Sequence, residues 1–324
     1  MPKAALLNRF DCAVAAFLRT QRALGRLYRA EEYALGRLRR FLVQVGADDL
    51  TGPLFDEWRQ SSAHLSISSR LRWERIVHKF CRHRRRSELR CFVPDPCSFV
   101  RLKPYPLPTI LSRSQIAQLL SACSPSGRRD RRARLHGQIM RCAVVLLYTA
   151  GLRRGEIVRL TLSDVDATAG VLRIRDSKFH KSRWVPLSPS ATRELRRYLR
   201  VRRRAGFERR PEAPLFCTVN GHAFDPVHFR ARFIALCRAA GVRRSDGRCP
   251  RLHDMRHSFA VGALLRWYEN GEDVQVALPR LAMYMGHISI ASTAYYLRLT
   301  PAVMQHASER FARSCPLLLE GGAP

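Results

Sequence analysis

The stretch Leu252-His253-Asp254-Met255-Arg256-His257-Ser258-Phe259 decides how this chain is read. In a helix, His253 and Arg256 fall three residues apart on one face, where one side chain can move a proton while the other grips phosphate oxygens. An H-x-x-R pair alone is a weak sign in an arginine-rich chain with 11 histidines. Its meaning comes from what stands upstream and downstream.

Upstream, the apolar run Cys142–Tyr148 reads as a buried helix stopped near Gly151, and Arg153 follows it, just before the amphipathic Glu156–Leu162. A rigid element can thus aim the Arg153 guanidinium inward, and its planar fork suits two phosphate oxygens. Next, Gly170–Arg175 and Arg183–Leu187 read as two strands joined by the basic turn Asp176–Ser182. That turn carries Lys178, a point-charge ammonium able to reach into a groove and donate a proton. Downstream, Gly286-His287 opens a segment that runs into Tyr295-Tyr296, placing a hydrogen-bond donor and a phenol on one helical unit. A tyrosine phenol can serve as a covalent nucleophile. Taken singly, each piece has a plainer reading: a surface arginine, a solvated turn lysine, a buried aromatic pair.

The charge balance points the same way. Lys and Arg number 58 against 26 acidic residues, a formal net charge of +32. Solubility does not call for that much charge, whereas neutralising phosphates and releasing their counterions does. Lysine occurs only at Lys3, Lys79, Lys103, Lys178 and Lys181, so coding bias accounts for arginine over lysine but not for the excess of positive charge. A nucleic acid is the expected partner, ahead of an anionic membrane. The longest strongly apolar run, Cys142–Leu152, is far shorter than the ~20 residues of a membrane helix, and no signal-peptide apolar region is found, so a cytoplasmic location is expected. Ten cysteines are scattered without a C-x-x-C pair, which suggests neither a zinc site nor a disulfide framework.

Around this centre, 324 residues are enough for two domains with separate cores. Leu6, Phe10, Val14, Phe17 and Leu18 fall at helical spacing, as do Tyr33, Leu35, Leu38, Phe41 and Leu42, and apolar-periodic stretches follow at Leu54–Trp58 and Ile67–Phe80. The last ends in Arg82-His83-Arg84-Arg85-Arg86, a run suited to a phosphate backbone. Prolines 94, 96, 104, 106 and 108 make 88–108 an extended linker. Beyond it Ser112 can cap a helix containing Ile116, Leu119 and Leu120. The expected organisation is a helical domain over 1–105, a mixed domain over 109–313, and a flexible tail over 314–324 that includes the Pro/Gly-containing Leu317–Pro324.

The order Arg153, Lys178, His253-x-x-Arg256, Gly286-His287 and Tyr296 resembles the tyrosine recombinase (phage integrase) family over roughly residues 109–310. The matching stretches are Thr149-Ala-Gly-Leu-Arg-Arg-Gly-Glu156, the Lys178 hairpin ending in Val185-Pro186-Leu187, the segment 252–259, and Met285-Gly-His with a tyrosine at the family's distance. Met285 stands where a leucine is common, and the spacer from Arg256 to His287 is longer than in compact members. That spacer, with Leu278-Pro279-Arg-Leu-Ala-Met-Tyr284, and the Thr-Ala-Tyr-Tyr-Leu ending look similar to recombinases carried by transposons and plasmids.

The resemblance implies a mainly α fold with a small antiparallel β-sheet in an α+β catalytic domain. It also implies a helical, SAM-like core-binding domain at the N-terminus, the two closing on duplex DNA as a C-shaped clamp. It implies site-specific recombination through a 3′-phosphotyrosyl intermediate. In that scheme Arg153, Arg256 and His287 hold the scissile phosphate and stabilise its pentavalent transition state, and Tyr296, the second of the tyrosine pair, attacks phosphorus. Lys178 protonates the leaving 5′-oxygen, His253 assists proton transfer at the tyrosine, and Glu156 supports the pocket. Arg82, Arg84, Arg85, Arg86, Lys181 and Arg183 are expected to contact DNA. No metal and no cofactor is implied, because arginines take the place of the metals other nucleases use and the bond energy is kept in the phosphotyrosine. A homotetramer on synapsed DNA is implied, and Val303, Ala307 and Phe311 at helical spacing suggest that 301–315 docks on a neighbouring subunit. Two other functions fit parts of this pattern: relaxation of supercoils by a type IB topoisomerase, and non-catalytic DNA binding by a regulator that kept the fold.

Overall fold

The structure is a computed structural model, and it describes residues 8–25, 27–101, 108–123, 131–175, 182–287, 291–294 and 296. The chain divides into two compact units, residues 1–106 and 107–324.

In the first unit four helices follow the apolar spacing of the sequence: α1 (Asn8–Ala23), α2 (Arg29–Val45), α3 (Gly52–Ser61) and α4 (Ile67–Arg84). On α2, Leu35, Leu38 and Leu42 recur every three or four residues, Ala34 lies four before Leu38, and all four are buried, so one stripe of the helix faces the core. The Phe80 ring meets Phe10 and Phe17 edge-on, with centroids 5.4 and 5.7 Å apart. Ser66 caps α4 by accepting a hydrogen bond from the Ser69 amide. Of the stretch 88–108 expected to form a linker, the part up to residue 101 is packed on this unit: Phe92 and Phe99 lie against Phe55, and the Val100 amide donates to Glu74, while residues 102–107 lie outside the described residues.

The basic run at the end of α4 is not uniformly solvated. Arg82, Arg85 and Arg86 are exposed, but Arg84 is 3% exposed and turned inward. Its guanidinium donates to both carboxylate oxygens of Asp49 and to Glu88. This corrects the expectation that Arg84 contacts DNA, since a buried, doubly paired guanidinium has no donor face left for a phosphate.

The second unit is built on α6 (Arg131–Thr149), whose buried Ile139, Met140, Cys142, Ala143, Val144, Leu146 and Leu147 make it the apolar rod of the core. Before it, α5 (Arg113–Ala122) begins with a capping box between Ser112 and Gln115. After it come α7 (Arg154–Arg159) and a three-stranded antiparallel sheet of β1 (Val165–Asp166), β2 (Val171–Ile174) and β3 (Arg183–Pro186), in that order. The β2–β3 pair is the hairpin expected from the sequence, in a register that sets Arg173 opposite Trp184 and Ile174 opposite Arg183. The added strand, β1, is only two residues long. Leu172, Ile174 and Val185 point inward. The turn residues 176–181, with Lys178 and Lys181, lie outside the described residues, as do Tyr295 and the segment 297–324 with its expected docking positions and tail.

Helices α8 (Pro189–Arg204), α9 (Pro226–Ala239), α10 (Leu252–Glu269) and α11 (Val274–Met285) complete the unit, followed by the short α12 (Ala291–Ala294). Helix α6 packs on α8 and α10. The far half of α10 and α11 share a satellite core of Val261, Leu264, Leu278, Leu281 and Met285, to which Tyr296 adds its ring. Among the described residues no helix is long and apolar enough to cross a membrane, and no cluster of His, Cys, Asp or Glu could hold a metal ion. The nine described cysteines are free thiols.

Candidate active site

Helix α10 starts at Leu252 because the Asp254 carboxylate accepts the Arg251 amide at 2.7 Å, satisfying a free N–H at the helix start. The H-x-x-R segment is therefore helical, with His253 exposed at the rim and Arg256 1% exposed at the base. Arg256 donates to the carbonyl oxygens of Gly151 at 2.5 Å and Met285 at 2.6 Å, tying the end of α6 to the end of α11. Among the described residues no carboxylate forms an ion pair with it. Burial, and next the nearby Arg153 charge, push its pKa down to about 10. A buried cation held only by carbonyl dipoles is costly, and an arriving anion offsets that cost.

Gly151 makes this geometry possible. Its φ is +58°, and a Cβ there would sit 2.5 Å from Cδ1 of Phe259. Only glycine fits both the left-handed backbone and the ring beneath it.

Arg153 stands at the start of α7 and is shared between two partners. One guanidinium nitrogen donates to Glu156 Oε1 at 2.7 Å, the other to the Gly286 carbonyl at 2.7 Å, while its backbone N–H donates to Glu156 Oε2 at 2.9 Å. Its side chain keeps 26% exposure. The Glu156 carboxyl also receives both terminal nitrogens of Arg183, at 3.0 and 2.9 Å. Burial alone would raise its pKa, but Arg183 and then Arg153 outweigh that and hold it at about 2. Glu156 is thus ionised at any working pH and binds the arginines to one another.

The far end of α11 supplies the remaining groups. Gly286, at φ +67°, ends the helix, and a Cβ there would lie 2.9 Å from Nη1 of Arg183. His287 follows, its Nδ1 2.7 Å from Oγ1 of the fully buried Thr293. Tyr296 is 2% exposed, its ring stacked at 18° on His287 with centroids 6.1 Å apart. On another side it meets His257 edge to face at 5.4 Å, and His257 in turn meets His253 at 4.5 Å. Burial, then Arg256 and Arg153, lower the His287 pKa to about 4. Burial, then His253, lower that of His257 to about 4 as well. His253 is also shifted down, by desolvation first and Arg256 next.

The structure therefore brings Arg153, Glu156, His253, Arg256, His287 and Tyr296 into one cluster. Lys178 lies outside the described residues. Arg183, expected on the DNA, is instead inside the cluster with its side chain 10% exposed, which corrects that expectation. All three of its nitrogens are engaged, on Glu156 and on the Tyr284 carbonyl. His257 and Thr293 are further members that the sequence did not single out. For His257 the signal was its position directly after Arg256. Thr293 carries no such mark, because its contact with His287 is made from the separate helix α12. Chemically, three guanidinium groups against one carboxylate leave a net positive pocket beside a phenol, a setting for holding a phosphodiester in contact with an oxygen nucleophile.

Comparison with known proteins agrees with this chemistry. A model of the phage integrase family matches residues 109–302. The integrase/recombinase y4rB of Sinorhizobium fredii is 35% identical over 315 residues, covering 95% of this chain and 98% of that protein. The tyrosine recombinase XerD of Xanthomonas axonopodis pv. citri is 34% identical over 66% of this chain and 65% of its own length. Among solved structures, the Tn1549 transposon integrase in complex with a circular intermediate DNA superposes with a TM-score of 0.65 at 20% identity, covering 92% of this chain and 99% of that one. At that identity the likeness speaks for the fold: mainly helical, with the small antiparallel sheet.

Proposed function

This chain belongs to the phage integrase family and is a tyrosine-type site-specific DNA recombinase, and from that premise we propose that it cuts and rejoins DNA through a covalent bond to Tyr296. Double-stranded DNA is the substrate. Arg153, Arg256 and His287 hold the non-bridging oxygens of the scissile phosphate and stabilise the charge that gathers on them in the pentavalent transition state. The Tyr296 oxygen forms a bond to phosphorus as the bond from phosphorus to the 5′-oxygen breaks. His253 takes the phenol proton, and Lys178 gives a proton to the departing 5′-oxygen. The 5′-hydroxyl of a partner strand then attacks the phosphotyrosine, which restores the phosphodiester and frees the tyrosine. The phosphoester energy is conserved throughout, so no step calls for ATP.

The observation that carries this reading is Arg256, buried with two carbonyl partners and no paired carboxylate among the described residues, beside the stacked rings of His287 and Tyr296. A non-catalytic DNA binder has no use for such a costly charge. The finer reading is a recombinase of a transposon or plasmid, in keeping with the fold shared with the Tn1549 transposon integrase; it would act as a homotetramer on synapsed ends. Exposed Arg82, Arg85 and Arg86, with Lys181, would grip the flanking backbone.

The test is incubation of the protein in EDTA with DNA carrying the ends of its flanking element, followed by a denaturing gel. A covalent adduct that Tyr296→Phe abolishes is expected. An adduct that survives in Tyr296→Phe moves the nucleophile to Tyr295, and no adduct on any cognate end overturns the chemistry in favour of non-catalytic binding.

A further inference from the structure

We infer that Arg183 is a positioning residue of the cleavage reaction, which keeps the Arg153 guanidinium available to the scissile phosphate by occupying Glu156; this rests on the reaction proposed above. Arg183 opens β3, and its side chain faces inward. Nε donates to the Tyr284 carbonyl at 2.8 Å, and the two terminal nitrogens lie on the two oxygens of Glu156 as a matched fork. The guanidinium is thus committed to internal partners, with its side chain 10% exposed.

The consequence lies in the sharing of one carboxylate. Glu156 has about four lone-pair sites. Arg183 takes two, and the Arg153 amide and one Arg153 guanidinium nitrogen take the others. With the fork occupied, Arg153 makes a single-nitrogen contact to Glu156 and places its other nitrogen on the Gly286 carbonyl. Its guanidinium is thereby spread across the pocket with exposure to spare. Without Arg183, Glu156 would be a buried carboxylate with half its counter-charge gone, and Arg153 is the adjacent cation. A two-pronged Arg153–Glu156 pair is the stable outcome, and it withdraws Arg153 from the phosphate.

Arg183 also latches the hairpin to α11. Its Nε holds the Tyr284 carbonyl while the Tyr284 hydroxyl donates to the Pro186 carbonyl at 2.9 Å, so strand and helix end are joined at two points. Gly286 leaves the room this needs, since a side chain there would collide with the guanidinium.

The experiment compares wild type, Arg183→Met and Arg183→Lys on two duplexes, one with an ordinary scissile phosphate and one with a methylphosphonate in its place. The methylphosphonate is uncharged, so it does not depend on Arg153 to hold an anion. On the ordinary duplex, adduct formation by Arg183→Met should fall about 100-fold, as for a displaced catalytic group, and Arg183→Lys, which lacks the fork, should fall by an intermediate factor. On the methylphosphonate both should come within a fewfold of wild type. DNA affinity and its salt dependence should be unchanged. Equal losses on both duplexes would overturn the positioning role in favour of a merely structural one, as would a loss that follows the melting temperature. Weaker binding with a smaller salt slope would return Arg183 to the DNA. Should Arg183→Met not fold, Arg183→Lys decides by the same ratio. A wild type that forms no adduct overturns the proposed reaction itself, and this inference with it.

Discussion

The ring of His257 stands edge-on to that of Tyr296, their centroids 5.4 Å apart at 61°, so the residue after Arg256 on α10 braces the phenol. His257 faces His253, Asp254, Arg251 and Arg256. Both it and His287 have pKa values near 4 in the fold, against about 6.5 in an unfolded chain. A depressed histidine means that the unfolded state binds the extra proton, so the stability these groups allow is complete above about pH 6.5 and is lost as pH falls toward 4. Thermal melts should show a steady fall in melting temperature over that window. His257→Phe, which keeps a ring against Tyr296 but cannot protonate, should make the acid limb shallower; an unchanged limb would show that His257 is not buried neutral.

The Thr293 hydroxyl lies 2.7 Å from Nδ1 of His287, where it can donate to that nitrogen. With its pKa lowered, the imidazole is neutral at working pH, and the phosphate-holding role proposed for it requires Nε2 to carry the proton, with Nδ1 accepting from the Thr293 hydroxyl. Thr293→Val removes that hydroxyl at nearly constant volume. Adduct formation should fall about tenfold, the worth of one hydrogen bond, with DNA affinity unchanged in a binding titration.

Gly151→Ala tests the base of the pocket. The left-handed backbone costs a non-glycine residue about 1 kcal/mol, and forcing a methyl into Phe259 adds about 2 kcal/mol. Denaturant unfolding should show a loss of about 3 kcal/mol. Because Arg256 donates to the Gly151 carbonyl, cleavage should fall too. Phe259→Leu in the same chain should recover the packing part and leave the backbone part.

Arg84 and Arg85 adjoin in sequence and should behave as opposites. Arg84→Gln breaks a buried pair with Asp49 and Glu88 and should cost about 3 kcal/mol of stability with no change in the salt slope of DNA binding. Arg85→Gln, at an exposed position, should leave stability alone and reduce the salt slope by about 0.9, the share of one phosphate contact. Titrations at several salt concentrations beside unfolding curves separate the two.

Much of the architecture was legible because period and punctuation are local. The stripe of α2, the Ser112 cap, the stop at Gly151 and the β2–β3 hairpin each follow from residues a few positions apart. Strand β1 was not legible: two residues carry no alternation, and its pairing depends on β2 already being in place. The cluster of His253, Arg256, His287 and Tyr296 could be read from the order of its motifs. The inward turn of Arg84 and Arg183 could not. In a chain this rich in arginine, composition does not say which guanidinium meets a carboxylate from a distant element, and those carboxylates, Asp49 and Glu156, lie 35 and 27 residues away.

The carbonyls that hold Arg256 come from residues 105 positions before it and 29 after it. A chain still emerging from the ribosome, or one truncated short of Met285, therefore cannot complete this corner. The corner is thus a late-closing one, set only when segments from both ends of the second unit have met.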